Sequence, residues 1–483
     1  MNELTYEQRA DIGLEYVRSL LKTASPYGAQ EVRHLKIYAP DEREALEKEF
    51  YNVERAMVTL NAFFEEYALL DRAFSQLKDI RRSIKRSEGG VLSEVELFEV
   101  KQFLLQLSIM APAFKKINAV AAFREIEITA VPEALQKLDI DGEKSAGFYI
   151  DEKHSQELAL IRREKRKLER RIRESPGTER EALLKERTLL TAREDEEETH
   201  VRALLSEGLR PYVYELLNDT DAIGRFDFTV ARARLARAHN GVRPVLCDDG
   251  IFIDGMENPR VKDALQKRNK EFTPVSIELT RGVTVVTGAN MGGKSVALKT
   301  LALTVLLVHV GIFPFAKSVK TQLFDNVFML FEDAENAEKG LSSFGAEIVR
   351  LNDILGACGE YSLILLDEPA RGTNPYEGAQ IVRALVKRLN ALQSVSVLST
   401  HYDHAAEYAN AHYQVKGLRG ADMESIKKEI DTSAGGGVEV VARHMNYGLA
   451  RAERDNPCPR DALNVCRLLG LDEGVMAEIE KLY

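Results

Sequence analysis

Apolar residues in the first half of the chain recur every three or four positions, which is the period of an α-helix. One example runs through Leu14, Tyr16, Val17, Leu20 and Leu21. Prolines, glycines and β-branched runs are sparse before about residue 240, and the breaks fall at short polar turns such as Ser25-Pro26-Tyr27-Gly28. We therefore expect this half to be almost wholly helical.

The segment from Glu152 to Gly208 carries a narrower apolar stripe in a highly charged background. One helix is marked by Leu158, Ile161, Leu168 and Ile172, and a second by Leu183, Leu190, Val201 and Leu204. The segment Ser175-Pro176-Gly177 separates these two predicted helices. This pattern predicts a long antiparallel helical hairpin with a coiled-coil seam, for which a solvated structural arm is the simplest interpretation.

The pattern changes after about Val242, where short aliphatic runs alternate with helical segments. The runs cover residues 283–286, 363–366 and 395–398. Such alternation predicts a mostly parallel sheet with crossover helices. We expect three parts: a helical core at 1–150, the hairpin arm at 151–240, and an α/β domain at 241–483.

Composition narrows the class of protein only slightly. The 483 residues are 45% hydrophobic and 29% charged, as in an ordinary soluble protein. No apolar run approaches the roughly 18 residues of a membrane span, and no secretory signal opens the chain. Four scattered cysteines indicate reduced thiols, so we expect a cytoplasmic protein. A formal charge of −10 argues against broad nucleic-acid binding, although a local basic patch can override it.

A phosphate-binding motif follows the first aliphatic run. It reads Gly288-Ala289-Asn290-Met291-Gly292-Gly293-Lys294-Ser295 and satisfies G-x-x-x-x-G-K-[ST]. The glycines let backbone N–H groups surround phosphate oxygens, and the helix that follows adds its dipole. Lys294 is expected to contact the β- and γ-phosphates and the Ser295 hydroxyl to ligate Mg²⁺. The motif predicts an ATP and Mg²⁺ site.

Two further strand ends supply candidate catalytic groups. The run at 363–366 leads into Asp367 and Glu368. Asp367 is placed to hold Mg²⁺ through water, and Glu368 to accept a hydrogen bond from the attacking water. The third run ends near His401, where an imidazole can sense the γ-phosphate or the water; a structural histidine is the alternative.

These motifs resemble the MutS family. The matches are Thr287–Ser295 with its Asn-Met-Gly-Gly-Lys core, Gly255–Pro259, Ser342-Ser343-Phe344 with Glu347, Asp367–Thr373, and Ser399–Tyr402. Details such as Asn374–Gly378 and Ala231–Ala236 are most similar to the second bacterial MutS branch, which is linked to recombination rather than mismatch repair. The resemblance is strong over 250–410 and weaker before 240.

The resemblance implies an ABC-type ATPase that dimerises, with itself or with a paralogue, around two nucleotides. Ser342 and Ser343 would contact the γ-phosphate held by the partner, and helices at the C-terminal end of the domain would support dimerisation. A flexible polar loop within one subunit is the alternative for the two serines. His401 corresponds to the switch histidine of the family.

The sequence also departs from the family pattern. It has no mismatch-reading module and no nuclease-like tail before Tyr483, and Ser175-Pro176-Gly177 joins the arm helices where the branch has a strand-rich clamp tip. We therefore expect a truncated member with a reduced clamp.

The sequence leaves two kinds of binding partner as alternatives, DNA and a metabolic enzyme. Residues 162–173 hold eight basic residues against two acidic ones, so the hairpin could bind branched or damaged DNA in repair or recombination. A solubilising face paired across the hairpin explains the same charges. Alternatively, the truncated clamp and acidic balance favour a chaperone or reactivating partner of a metabolic enzyme, such as a cobalamin-dependent amino-acid aminomutase.

Overall fold

The computed structural model of the protein describes residues 4–140, 142, 150–288, 293–331, 343–432, 436–458 and 461–482. The chain forms two compact units. The helical unit comprises Lys22–Leu35 and Tyr51–Ala233, and the sheet unit comprises Met1–Leu21, Lys36–Phe50 and Arg234–Tyr483. The predicted domain boundaries at residues 150 and 240 stay a prediction. The compact units divide the chain differently, because Met1–Leu21 and Lys36–Phe50 belong to the sheet unit.

Helices fill most of the described chain before residue 240, in agreement with the apolar spacing. Their bounds are α1 (Tyr6–Ile12), α2 (Leu14–Leu20), α3 (Pro26–Arg33), α4 (Arg43–Thr59), α5 (Phe64–Ser75), α6 (Arg81–Arg86), α7 (Glu94–Ala121), α8 (Pro132–Leu138), α9 (Gln156–Glu174), α10 (Gly177–Leu209) and α11 (Val213–Ala238). Side-chain hydrogen bonds fix the first residue of several helices. Ser93 and Glu96 form a capping box at the start of α7, and Ser25 caps α3 ahead of Pro26.

An aromatic cluster forms the centre of the helical unit. Phe226 on α11 is fully buried, and four rings surround it at centroid distances of 5.2–6.2 Å: Tyr67, Phe74, Phe114 and Phe123. Three of these contacts are edge-on, the arrangement that places a positive ring edge on a negative ring face. The cluster joins α5, α7 and α11 into one core.

Helices α9 and α10 pack along a thin apolar seam of Leu168, Ile172, Leu183 and Leu190. Ion pairs extend the contact: Arg162 lies 3.0 Å from Glu194 and 2.6 Å from Glu198, and Arg187 lies 3.2 Å from Glu169. Residue numbers rise along one helix as they fall along the other, so the helices run in opposite directions. Burial would raise the pKa of Glu194, but Lys165 and Arg162 outweigh it and lower that pKa.

The sheet unit contains two sheets. The strands are β1 (Val245–Leu246), β2 (Ile251–Met256), β3 (Val275–Leu279), β4 (Gly282–Thr287), β5 (Ser318–Thr321), β6 (Asn326–Leu330), β7 (Ser362–Asp367), β8 (Val395–Thr400), β9 (Ala411–Gly417) and β10 (Asn446–Ala452). The larger sheet has the order β10-β9-β4-β8-β7-β6 and is parallel except for β10. The smaller sheet, β1-β5-β2-β3, is mostly antiparallel.

The three aliphatic runs of the sequence lie in β4, β7 and β8 of the larger sheet, so the predicted order of a helical half and an α/β half is confirmed. The smaller sheet was not predicted, because its strands are short and partly exposed. The helices of this half are α12 (Pro259–Gln266), α13 (Lys294–His309), α14 (Ser343–Ala357), α15 (Pro375–Ala391), α16 (Met423–Thr432), α17 (Gly437–His444), α18 (Asp461–Leu468) and α19 (Glu473–Leu482). Across the described ranges, no helix is long and apolar enough to cross a bilayer.

A buried histidine anchors the end of α13. His309 Nδ1 lies 2.8 Å from Tyr38 O and Nε2 lies 3.2 Å from the Phe324 nitrogen. Because a carbonyl can only accept, Nδ1 carries the proton and Nε2 accepts from Phe324 N–H. Burial lowers the pKa of His309 to about 4, so the neutral ring is the form that the fold stabilises.

This histidine predicts a pH dependence of stability. The folded pKa lies below the ordinary value of about 6.5, so its contribution is complete above pH 6.5 and is lost as pH falls toward 4. Between pH 7.5 and 5 we expect a loss of about 2 kcal/mol in the free energy of unfolding. His309→Gln should flatten this slope in urea denaturation series, while His404→Gln, at an exposed position, should retain it. Equal slopes for wild type and His309→Gln would contradict the assignment.

Candidate functional site

The site lies at the carboxyl edge of the larger sheet, where three parallel strands end together. Thr287 at the end of β4 is in register with Thr400 of β8, and Asp367 of β7 is in register with Ser399 of β8. Carboxyl ends of parallel strands are the usual position of ligand sites in open α/β sheets. The register therefore brings the predicted phosphate-binding turn and both predicted carboxylates to one edge.

Close packing surrounds the two ends of the phosphate-binding turn. A Cβ on Gly288 would lie 3.0 Å from the Val415 side chain on β9. Gly293 has a left-handed backbone with φ of +83°, and a Cβ there would lie 2.9 Å from the Tyr447 ring on β10. Both conditions favour glycine. Ala289, Asn290, Met291 and Gly292 lie outside the described residues, and their predicted contacts with phosphate stay predictions.

Lys294 is the first residue of α13 and is buried, with 4% of its surface exposed. Its Nζ donates to Gly288 O at 2.7 Å and lies 2.9 Å from Glu368 Oε1. The lysine thus connects the start of the P-loop helix to the end of β7. Ser295 follows in the same first turn and is partly exposed.

The backbone beyond β7 is held in a left-handed turn. Glu368 has φ of +48°, and its N–H donates to both the carbonyl and the hydroxyl of Ser399 at 3.1 Å. The same hydroxyl donates to Asp367. Ser399 therefore holds the carboxylate of Asp367 and the backbone of Glu368. Sequence reasoning gave Ser399 no role of its own; its position beside Asp367 in a parallel sheet was the available signal.

The Glu368 carboxylate lies among cationic and polar groups. His401 Nδ1 is 3.7 Å and Arg371 Nε is 3.7 Å from Oε2, opposite the Lys294 contact. Burial would raise the pKa of Glu368, but His401 and Lys294 outweigh it and lower that pKa to about 2. A carboxylate of such low basicity stays ionised at physiological pH and is suited to accepting a hydrogen bond from water rather than to holding a proton.

The structure thus brings together Lys294, Asp367, Glu368 and His401, four of the residues predicted from the sequence. Ser342 lies outside the described residues. Ser343 begins α14, and its side chain is likewise outside the described part. The predicted contact of these two serines with a partner's nucleotide stays a prediction.

The C-terminal segment 446–458 also borders the site, which the sequence did not indicate. His412 Nδ1 donates to Glu453 O at 2.6 Å, so its Nε2 accepts from the Thr287 hydroxyl at 2.8 Å. Cys458 N–H donates to Asp403 at 2.7 Å. Burial raises the pKa of the Cys458 thiol, against the opposing effect of the Gly288 backbone, so this cysteine is held as a neutral thiol.

These residues fit a magnesium nucleotide. A buried ammonium group and the N-terminus of a 16-residue helix, whose first turn contains no acidic residue, provide donors for phosphate. The Ser295 hydroxyl and the Asp367 carboxylate are oxygen ligands of the type that Mg²⁺ prefers. Strand, glycine-bounded turn, buried lysine and paired carboxylates define a P-loop nucleotide-binding domain.

Comparison with known proteins identifies the domain that carries the site. Residues 284–465 match the family model MutS domain V, which is an ATPase domain. The resemblance inferred from the sequence motifs is confirmed over these residues, so the chain contains a domain similar to MutS domain V.

Several curated relatives share the similarity. Endonuclease MutS2 of Listeria monocytogenes serotype 4b (strain CLIP80459) is 30% identical over 304 residues, covering 62% of this chain and 35% of that protein. The Halothermothrix orenii (strain H 168 / OCM 544 / DSM 9562) endonuclease MutS2 is 32% identical over 237 residues, covering 48% and 28%. That of Streptococcus pneumoniae (strain Hungary19A-6) is 28% identical over 306 residues, covering 62% and 36%. The chain spans about a third of the length of these relatives.

The packing at Gly293 yields a test of the turn. Gly293→Ala would place a Cβ against Tyr447 and impose a left-handed backbone that costs about 1 kcal/mol or more. We expect the affinity for a fluorescent ATP analogue to fall about tenfold or more, a loss of about 1.4 kcal/mol. Gly359→Ala, where a Cβ meets nothing within 4 Å, should leave binding unchanged. Equal affinities for wild type and Gly293→Ala would refute the packing argument.

Proposed function

We propose that this protein binds ATP with Mg²⁺ and hydrolyses it, and that the nucleotide cycle closes and opens a dimer whose helical arms engage DNA. The observation that carries the hydrolytic part is the placement of Lys294 and Glu368 2.9 Å apart at the end of two parallel strands. A cation for the phosphates and a carboxylate for the water are the two groups that phosphoryl transfer to water needs from the chain.

Each residue of the site has its own role in the proposed reaction. Residues 288–295 surround the phosphates and Lys294 neutralises their charge. Ser295 and Asp367 would hold Mg²⁺, which would supply positive charge to stabilise the transition state. Glu368 orients the attacking water, with its own position fixed by Ser399. His401, within 3.7 Å of Glu368, senses the terminal phosphate or the water.

The proposed assembly is the one that the resemblance to the MutS family implies. In our proposal Ser342 and Ser343 contact the nucleotide of a partner subunit, identical or paralogous, and helices in the C-terminal part of 241–483 support the dimer. Residues 1–150 then act as the helical core and 151–240 as the arm that moves. Closing on ATP and opening after hydrolysis is the type of domain motion that couples a nucleotide to a distant element.

Two substitutions separate binding from hydrolysis. Glu368→Gln removes the negative charge but keeps the shape, so we expect phosphate release to fall at least about 100-fold while the affinity for ATP stays within about threefold. Lys294→Ala should weaken both. Glu377→Gln, an exposed carboxylate on α15, serves as the matched control. Full turnover in the Glu368→Gln protein would show that the water is oriented by another group.

The charge distribution on the arm supports DNA as the client. The structure divides the eight basic residues of 162–173 into two sets. Arg162, Lys165 and Arg166 form ion pairs with Glu194, Glu198 or Glu152. The second set is exposed and consists of Arg163, Lys167, Arg170, Arg171 and Arg173. The first set stabilises the arm, and the second is available to phosphate groups.

One face of α9 concentrates the exposed charges. Arg163, Lys167 and Arg170 follow one another at four- and three-residue spacing, so they share a side of the helix. A row of cations about one turn apart suits the regular charge of a nucleic-acid backbone. The curated relatives are endonucleases by name, which agrees with a nucleic-acid client for this chain.

Salt dependence tests this surface. Replacing Arg163, Lys167 and Arg170 together by Gln should weaken binding to duplex and junction DNA and reduce the slope of log Kd against log salt by up to about 3. A control triple, Arg419, Lys427 and Lys428→Gln, removes equal charge from exposed positions of the sheet unit and should keep the slope. Arg162→Gln should lower the melting temperature instead.

Absence of DNA binding at low salt, with and without ATP, would contradict the DNA proposal. Recovery of a metabolic enzyme, such as an aminomutase, in pull-downs with the Glu368→Gln protein would then identify a protein client.

A further inference from the structure

Ala370, two residues beyond the water-orienting glutamate, is held at both of its backbone polar groups. Its N–H donates to Glu347 Oε1 on α14 at 2.6 Å. Its carbonyl accepts from the Tyr402 hydroxyl, beyond β8, at 3.2 Å. Ala370 is 1% exposed, so neither backbone group has water as an alternative partner.

The backbone that these contacts hold is strained. Both Glu368 and Ala370 are non-glycine residues in the left-handed region, with φ of +48° and +63°. Such conformations persist only where the surroundings enforce them. Packing adds to the enforcement, because a Cβ on Gly378 of α15 would lie 2.4 Å from the Tyr402 hydroxyl and 2.9 Å from Ala370 O.

Of the two contacts, the one from Glu347 joins the turn to a separate helix, α14. Glu347 lies in the first turns of α14, the helix that begins at Ser343. It is half-buried, and burial raises the pKa of its carboxyl, against the opposing Ala370 N–H bond. The hydrogen bond from Ala370 N–H offsets part of this cost in solvation. Any displacement of α14 is passed through this bond to the turn that carries Glu368.

We propose that Glu347 is a positioning residue for hydrolysis: it fixes the turn 368–370, and so the direction of the Glu368 carboxylate, from the helix that follows the predicted signature loop. This inference rests on the proposed function of Glu368. It assigns Glu347 no contact with nucleotide or water, so its removal should affect turnover and leave nucleotide binding unchanged.

The test compares four variants in steady-state phosphate release and in titration with a fluorescent ATP analogue. Glu347→Ala removes the acceptor and should lower kcat about tenfold, with nucleotide Kd within about twofold, as expected for a lost hydrogen bond of about 1.4 kcal/mol. Glu347→Asp, too short to reach Ala370, should act similarly. Glu347→Gln keeps an acceptor oxygen and should retain at least half of kcat. Asp353→Ala, on the exposed face of α14, is the control.

A second measurement does not depend on turnover. Amide hydrogen exchange of peptides covering residues 367–373, read by mass spectrometry, should accelerate about tenfold in Glu347→Ala and Glu347→Asp and stay unchanged in Glu347→Gln and Asp353→Ala. Unchanged exchange in both acceptor-removing variants overturns the positioning role, whatever the turnover does. A fall in kcat matched by an equal rise in Kd also overturns it.

The results of these measurements distinguish failure of the Glu347 role from failure of the proposed ATPase function. Wild-type protein that binds no nucleotide or releases no phosphate removes the ATPase proposal, and the exchange data then decide whether Glu347 holds the turn. Wild-type turnover that Glu347→Ala leaves intact removes the inference alone. Should Glu347→Ala fail to fold, the Asp and Gln variants give the same comparison with less disturbance.

Discussion

The common register of β4, β8 and β7 is the constraint on which the site depends. Lys294 is supplied by the helix after β4, Glu368 by the turn after β7, and Ser399 by β8 between them. None of these groups is near another in sequence, and a shift of one residue in either pairing would turn the neighbouring side chains to the opposite face of the sheet. The fully buried aliphatic residues of the three strands fix that register. The contacts among Lys294, Glu368 and Ser399 therefore depend on the packing of the hydrophobic core.

Charge compensation follows one pattern in both units. Where acidic groups lose water, at Glu368 in the sheet unit and at Glu194 in the arm, cations within hydrogen-bonding distance keep them ionised. At His309 a neutral ring satisfies a carbonyl and an N–H without any charge. Fixed partners of this kind hold side chains in one orientation, which the proposed hydrolytic site requires and which stiffens the pair α9 and α10.

The sequence predicted those parts of the molecule that local patterns encode. Helical spacing, aliphatic runs and a motif of eight residues were sufficient to locate the helices, the central strands and the residues Lys294, Asp367 and Glu368. The choice of His401 rested partly on the resemblance to the MutS family. The sequence did not predict contacts that depend on three-dimensional proximity alone: Ser399 beside Asp367, Glu347 against Ala370, and Tyr447 over Gly293. It also did not predict that residues 1–21 pack in the sheet unit, because Asn258 to Ile12 O and Lys299 to Asp11 join positions 246 and 288 apart.

That long-range packing has a consequence for biosynthesis. The first helices leave the ribosome before their partners Asn258, Asp263 and Lys299 have been translated, and the whole helical unit is made in the interval. Completion of the sheet unit therefore waits for residues 246 and 288 positions further along the chain, and the buried faces of α1 and α2 stay without these partners until then. A segment whose partners are made so late exposes apolar surface during translation, so the order of synthesis is part of how this fold is reached.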